Sequence, residues 1–236
     1  MLDANYTERI IILRHAQTLA QTVAQTVAQT VAQTVVHKSR AIGHSHVPLS
    51  PEGSAHAETF GQLVQQAIRT KNHIKLYSSP SQRALESFGP VYRHHPDEIT
   101  IVPEFHEIFL GDWEGMAFAQ IKAQWPDLYE ERGANMATFR PPHGNSVAEN
   151  FHDVQGRMLS AVQSIADTME AHSTALVISH SGAIRTLLCH FQGIPLNNIM
   201  HLKMPNLHGI ILDCHDTKLN LTQSLISYTD IDGLTN

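Results

Sequence analysis

The sequence predicts an α/β fold built on a parallel sheet, and three stretches carry that expectation. Arg9-Ile10-Ile11-Ile12-Leu13-Arg14-His15 is a short, β-branched apolar run, the pattern of a fully buried strand, that stops abruptly at an arginine and a histidine. Thr174-Ala175-Leu176-Val177-Ile178-Ser179-His180 repeats that pattern and passes through Ser181-Gly182 into an apolar helix marked by Leu187, Leu188 and Phe191. In Leu76-Tyr77-Ser78-Ser79-Pro80-Ser81-Gln82-Arg83 a strand enters a helix with Pro80 near its start and Arg83 in the first turn, pointing back toward the strand end. Open α/β sheets bind ligands just beyond the carboxyl ends of their strands. Parallel pairing would therefore bring His15, His180, Arg14 and Arg83 to one pocket. Guanidinium forks match phosphate oxygens bidentately, and a neutral imidazole is a competent nucleophile near neutral pH. A single Arg-His pair leaving a strand reads equally well as a solvated loop; the second strand–histidine unit is what favours a site.

After the first strand the chain departs from a globular pattern. From Gln17 it runs Gln-Thr-Leu-Ala, then three copies of Gln-Thr-Val-Ala, then Gln33-Thr34-Val35-Val36. Four residues advance a helix by about 400°, so the valines form a slowly rotating stripe. Helix is the first expectation, with a β-hairpin or a lid as alternatives. A Val/Ala stripe either seeks burial against a second copy of the chain or another partner, or is a neutral expansion tolerated at the surface.

The rest of the chain reads as alternating elements. Lys38 to Ser50 is a loop; Ser50, Pro51 and Glu52 start a helix whose Phe60, Leu63, Val64, Ala67 and Ile68 face the core. Ile74 to Ser78 is a strand, and the Arg83 helix is expected to continue to about Tyr92. Arg93-His94-His95-Pro96 is a solvated stop, and Ile99 to Val102 a short strand closed by Pro103. Glu104 to Gly115 is a loop, and Gln120 to Arg132 gives short helices split at Pro126. Asn145 or Ser146 is expected to start the longest helix, with Val147, Phe151, Val154, Met158, Ile165 and Met169 on its core face. Beyond Gly193-Ile194-Pro195, Asn206 to Asp213 reads as a strand and Leu219 to Ile226 as an edge strand.

Composition narrows the function class. A chain of 236 residues suits one domain. A net charge of −6 with 16% charged residues offers no basic footprint for nucleic acid. No apolar run is long enough for a membrane span, and no signal peptide pattern opens the chain, so the cytoplasm is the expected compartment. Cys189 and Cys214 lie in apolar runs and read as buried thiols. Seventeen histidines invite a metal, yet none forms a His-Glu-x-x-His or Cys/His cluster, and His201, His208 and His215 are expected on different elements. Neither metal nor cofactor is expected.

Four motifs then stand in order: Leu13-Arg14-His15-Ala16-Gln17-Thr18, Ser78-Ser79-Pro80-Ser81-Gln82-Arg83-Ala84, Glu107-Ile108-Phe109-Leu110-Gly111-Asp112-Trp113-Glu114-Gly115 and Ser179-His180-Ser181-Gly182. Together they resemble the histidine phosphatase superfamily, the phosphoglycerate mutase-like group, from about residue 9 to residue 213 with the repeat as an insertion. The resemblance implies a single domain over residues 1–236 with a three-layer α/β/α sandwich and a mostly parallel central sheet. It also implies a covalent mechanism. His15 would attack phosphorus; Arg14, Arg83 and His180 would neutralise the equatorial oxygens, with Ser181 among the phosphate-binding residues. Glu107 would protonate the leaving oxygen and then act as base for water, a role that needs a carboxyl in a dry pocket near the phosphate. Glu104, Asp112 and Glu114 compete for that role, although Glu114, beside Trp113, is better suited to holding the loop in shape.

The Pro141-Pro142-His143-Gly144 loop, with Ser146 and Glu149 after it, resembles the phosphatase branch more than the mutases. The expected substrate is a small-molecule phosphomonoester. A mutase would need further cations, of which Lys38, Arg40 and Arg185 are the evident ones. The other alternative is a catalytically silent binding module that associates through the repeat. Ala16 and Gln17 depart from the family's usual Gly and Glu, and the insertion displaces the segment that usually supplies an Asn near the phosphate, for which the sequence offers no evident substitute.

Overall fold

The computed structural model describes residues 8–19, 40–70, 73–144 and 147–230. Residues 20–39, and with them nearly all of the repeat and the expectations about its helix and its self-association, lie outside that set.

Six strands form one sheet in the order β3-β2-β4-β1-β5-β6: β1 Glu8–Arg14, β2 Ile74–Ser78, β3 Ile99–Ile101, β4 Thr174–Ser179, β5 His208–His215 and β6 Lys218–Ser227. The first four in that order run parallel; β5 is antiparallel to β1, and β6 to β5. The strand alternation of β1 sorts its side chains into two cores. Ile10 and Ile12 pack with Ala175, Val177, Ile210 and Leu212 beneath the helices Phe151–Thr168 (α6) and Ser181–Gln192 (α7). Ile11 and Leu13 pack with Leu76, Leu176 and Ile178 beneath Pro51–Thr70 (α1) and the short helices Gln82–Glu86 (α2) and Pro90–His94 (α3). These helices on either face make the α/β/α sandwich. A smaller core of Ala41, Trp113, Ile121 and Phe139 lies under Phe118–Gln124 (α4) and Pro126–Ala134 (α5). Full burial of Ile10, Ile12 and Leu13 stabilises the sheet by about 1.5–3 kcal/mol each. Among the described residues no helix is long and apolar enough to cross a membrane.

Several boundaries differ from expectation. The Arg83 helix does not reach Tyr92 unbroken: Gly89 turns at φ +51° and Pro90 restarts a new helix. The helix expected from Asn145 or Ser146, two positions outside the described residues, begins at Phe151, where Asn150 and Asp153 form a reciprocal capping box. Val147 is consequently exposed rather than on the core stripe, and α1, at 20 residues, exceeds the 18 of α6. The strand expected from Asn206 starts at His208, because Leu207 holds a left-handed φ of +51°. His208 and His215 bound one strand rather than standing on different elements, and extended chain keeps them about 23 Å apart.

Candidate active site

β1 and β4 are neighbours, and their register pairs Arg14 with Ser179, so the next residues, His15 and His180, leave the sheet side by side. The chain after β1 goes to the α1 face, whereas the chain after β4 goes to the α7 face. That divergence opens a crevice at the strand ends, the position where doubly wound sheets bind ligands. β2, on the other flank of β4, delivers Ser79 and then Arg83 from the first turn of α2. Sequence-distant His15, His180, Arg14 and Arg83 are thereby brought together.

The two imidazole rings lie 5.2 Å apart and both are buried. The Nδ1 of His15 is 2.7 Å from the carbonyl of Ala16, which can only accept, so Nδ1 carries the proton and Nε2 keeps a lone pair. Burial first, then the charges of Arg14 and Arg83, hold this imidazole well below its ordinary value of 6.5, so it is neutral at pH 7. The loop is fixed by Asn206 Nδ2 donating to the His15 carbonyl (2.8 Å) and by the Ala16 amide donating to Ser87 Oγ (2.8 Å). His180 is tied from both sides: Arg83 donates to Nδ1 (3.2 Å), which places the proton on Nε2, 2.7 Å from Ser79 Oγ. Burial, then Arg83, lowers this pKa also.

Arg14 donates to the Met204 carbonyl (2.6 Å), and its Nε is buried with no hydrogen-bond partner among the described residues. Burial lowers its pKa to about 10, opposed by Glu107, so it remains a cation at pH 7. A buried, charged donor without a partner is costly, and its chemistry suits an anion. Arg83 donates to the carbonyls of Gly43 (2.7 Å) and Ser45 (3.0 Å). The strap bearing those carbonyls is held by Glu114, whose carboxylate accepts from the amides of Gly43, His44, Ser45 and Leu110 and from Ser45 Oγ. Burial would raise the Glu114 pKa, but the hydrogen bonds from Ser45, His44 and Leu110 outweigh it and hold it below the usual range.

Glu107 faces the start of α7. Its Oε1 accepts from the amides of Ile108 (3.0 Å) and Ala183 (3.1 Å), and Oε2 from that of Gly182 (2.9 Å). A Cβ at position 182 would come 2.5 Å from Oε1, so only glycine lets the carboxylate dock there. The helix N-terminus, a ready anion site, is thus filled by Glu107, and Ser181 stands on the wall of an adjoining cavity with Glu107 and Arg185. The Glu107 loop is clamped by Arg157, which donates to the carbonyls of Glu104, His106 and Glu107 while paired with Glu149 at 2.7 Å.

Sequence reasoning missed Ser79, Ser87, Asn206, Arg157 and the stack of His44 on His106 (3.6 Å) and His106 on His180 (5.7 Å). The Ser79 signal was present in the motif around Arg83; Ser87 at the end of α2, Arg157 on α6 and Asn206 before β5 carry no local signature, because their partners lie far away in sequence or are backbone groups. Among the described residues no group of three His, Cys, Asp or Glu could hold a metal ion.

The histidine phosphatase superfamily (branch 1) model matches residues 10–225. The chain is 26% identical over 169 residues to the 6-phosphofructo-2-kinase/fructose-2,6-bisphosphatase of Arabidopsis thaliana, covering 69% of this chain and 20% of that one. It is 24% identical to the adenosylcobalamin/alpha-ribazole phosphatase of Salmonella typhimurium, covering 69% of this chain and 76% of that one. The chain spans between a fifth and a third of the length of the bifunctional plant and nematode relatives. The solved structure of YhfR from Bacillus stearothermophilus superposes with a TM-score of 0.69 at 25% identity, covering 94% of this chain and 98% of that one.

Proposed function

The chain belongs to the histidine phosphatase superfamily, branch 1, and from that premise we propose that it is a phosphomonoester hydrolase working through a phosphohistidine at His15, without a metal, on a small phosphorylated metabolite. The observation that carries this reading is the pair of neutral imidazoles 5.2 Å apart beside Arg14, whose buried Nε has no partner.

The Nε2 lone pair of His15 attacks phosphorus in line; an N–P bond forms as the P–O bond to the alcohol breaks. Arg14 and Arg83 carry the charge of the equatorial oxygens, and His180 contributes a hydrogen bond rather than a charge, since it is neutral. Glu107 supplies the proton the departing alkoxide takes up. Its Oε2 accepts a single amide and has a lone pair free to hold that proton. Water then attacks the phosphohistidine and gives a proton to Glu107; as the new P–O bond forms the N–P bond breaks, returning the lone pair to His15 Nε2 and releasing inorganic phosphate. The superfamily and its relatives, several of them named phosphatases, support hydrolysis. One observation favours phosphotransfer of the mutase kind: Arg40, Arg132 and Arg185 line the cavity beyond Glu107, where a bisphosphate could be held and turned.

The test is p-nitrophenyl phosphate hydrolysis in EDTA. The wild-type protein releases inorganic phosphate and His15→Ala releases none; activity retained by His15→Ala overturns the nucleophile. A mutase would instead interconvert phosphoglycerates faster than it releases phosphate.

A further inference from the structure

Between Gly43 and Ser45, whose carbonyls receive Arg83, stands His44. An exposed side chain ordinarily stays mobile, because ordering it costs conformational entropy. His44 is exposed but fixed. Its ring stacks on His106 with centroids 3.6 Å apart and leans on Phe109 at 5.0 Å, tilted by 49°. Its Nε2 lies 2.9 Å from the carbonyl oxygen of Glu107, which can only accept, so Nε2 carries a proton and donates it there. Its own amide donates to Glu114 Oε1 at 2.9 Å. The strap and the Glu107 loop also meet backbone to backbone: a Cβ at Gly43 would lie 2.0 Å from the Ile108 carbonyl oxygen.

These contacts converge on the residue that must deliver a proton. The Glu107 amide donates to His106 Nδ1 (3.1 Å), and the Glu107 carbonyl accepts from His44 and from Arg157 (3.1 Å). Arg157 reaches from α6 and His44 from the strap, so two separate elements hold that carbonyl. His106 in turn stacks on His180, 5.7 Å away and within 13° of parallel. In the phosphatase reading the strap therefore faces both ends of the bond to be broken. Gly43 and Ser45 aim Arg83 at the phosphoryl oxygens, and His44 holds Glu107 at the leaving oxygen. One exposed hydrogen bond adds little to global stability. Proton transfer, by contrast, needs hydrogen-bond reach and weakens steeply when the donor is misplaced by about 1 Å.

We propose that His44 is a positioning residue for proton transfer: its Nε2–H, aimed by His106 and Phe109, fixes the Glu107 carbonyl and so sets where the Glu107 carboxyl meets the leaving oxygen. The proposal rests on the phosphatase reading and adds to it a residue that touches no substrate. The ring stack aims the donor, and the hydrogen bond does the positioning.

Two arms test it. In the first, kcat/KM is measured for p-nitrophenyl phosphate, whose leaving group needs no proton, and for glycerol 2-phosphate, whose leaving group does. His44→Ala and His44→Phe, the latter keeping a ring without the donor, should lower the glycerol 2-phosphate value by about tenfold and the p-nitrophenyl phosphate value by less than about threefold. His44→Gln, whose side-chain amide can stand in for Nε2–H, should restore most of the loss. In a Glu107→Gln background, His44→Ala should leave the ratio of the two substrates unchanged. Equal losses on both substrates, a fully active His44→Phe, a His44→Gln no better than His44→Ala, or a further change of ratio in Glu107→Gln overturns the proposal. In the second arm, deuterium uptake is followed in a peptide covering residues 104–110, which needs no turnover. It should rise in His44→Ala and His44→Phe but not in His44→Gln. If the wild-type protein hydrolyses neither ester, the phosphatase reading fails and uptake alone decides whether His44 holds the Glu107 loop; uptake unchanged in His44→Ala overturns that hold.

Discussion

At the scale of single residues, the chemistry depends on keeping imidazoles uncharged beside arginines. Burial and the flanking guanidiniums lower His15 and His180, and burial with its neighbours takes His106 to about 4. The unfolded chain binds protons at these rings below their ordinary value of 6.5, whereas the folded chain does not. Their contribution to stability is therefore full above 6.5 and is lost as pH falls toward 4. The urea midpoint is expected to be lower at about pH 5 than at about pH 7.5; an equal or higher midpoint at the acid value would contradict the buried neutral state. Corrected for ionisation of the substrate, kcat/KM should show no loss of the nucleophile between pH 7 and 6.5. Glu107→Gln should slow alkyl phosphates far more than p-nitrophenyl phosphate, whose leaving group needs no proton. Equal losses on both would remove Glu107 as the acid.

At the scale of elements, the strands and the histidines at their ends were legible because each carries its own signal: β-branched runs that end in polar residues, at the bounds the structure has for β2. The breaks were less legible. Gly89-Pro90 splits a helix that reads as one, and Asn150-Asp153, a good capping pair, was overshadowed by the earlier Asn145-Ser146. Asn150→Ala should cost about 1 kcal/mol in thermal or urea unfolding. Least legible was the strap, since Glu114 meets Gly43 and Ser45 across some seventy residues, and those carbonyls aim Arg83 together with His180 Nδ1. Glu114→Ala should raise KM for phosphomonoesters by about tenfold, with the smaller effect on kcat; an unchanged KM would show that Arg83 needs no strap. Gly209, in β5, lies against β1 so closely that a Cβ would sit 1.7 Å from the Ile12 carbonyl oxygen. Gly209→Ala should destabilise by about 2–3 kcal/mol in urea, and a change near zero would contradict that packing.

At the scale of the molecule, a chain of net charge −6 concentrates cations at one crevice. Arg14, Arg83 and Arg185 surround Glu107 where β1 and β4 send their chains to opposite faces. That field is the substitute for a metal in the proposed reaction. The layers and the mostly parallel sheet followed from local patterns and from the family resemblance; the strand order and the cavity with Arg132 did not, because α4 and α5 acquire their meaning only when packed beside Glu107. The most direct measurement is rapid-quench labelling with a radiolabelled phosphomonoester followed by peptide mapping. The account predicts an acid-labile, alkali-stable phosphoryl group on His15, absent from His15→Ala; turnover with the label on another residue, or with no covalent label at any quench time, would contradict it.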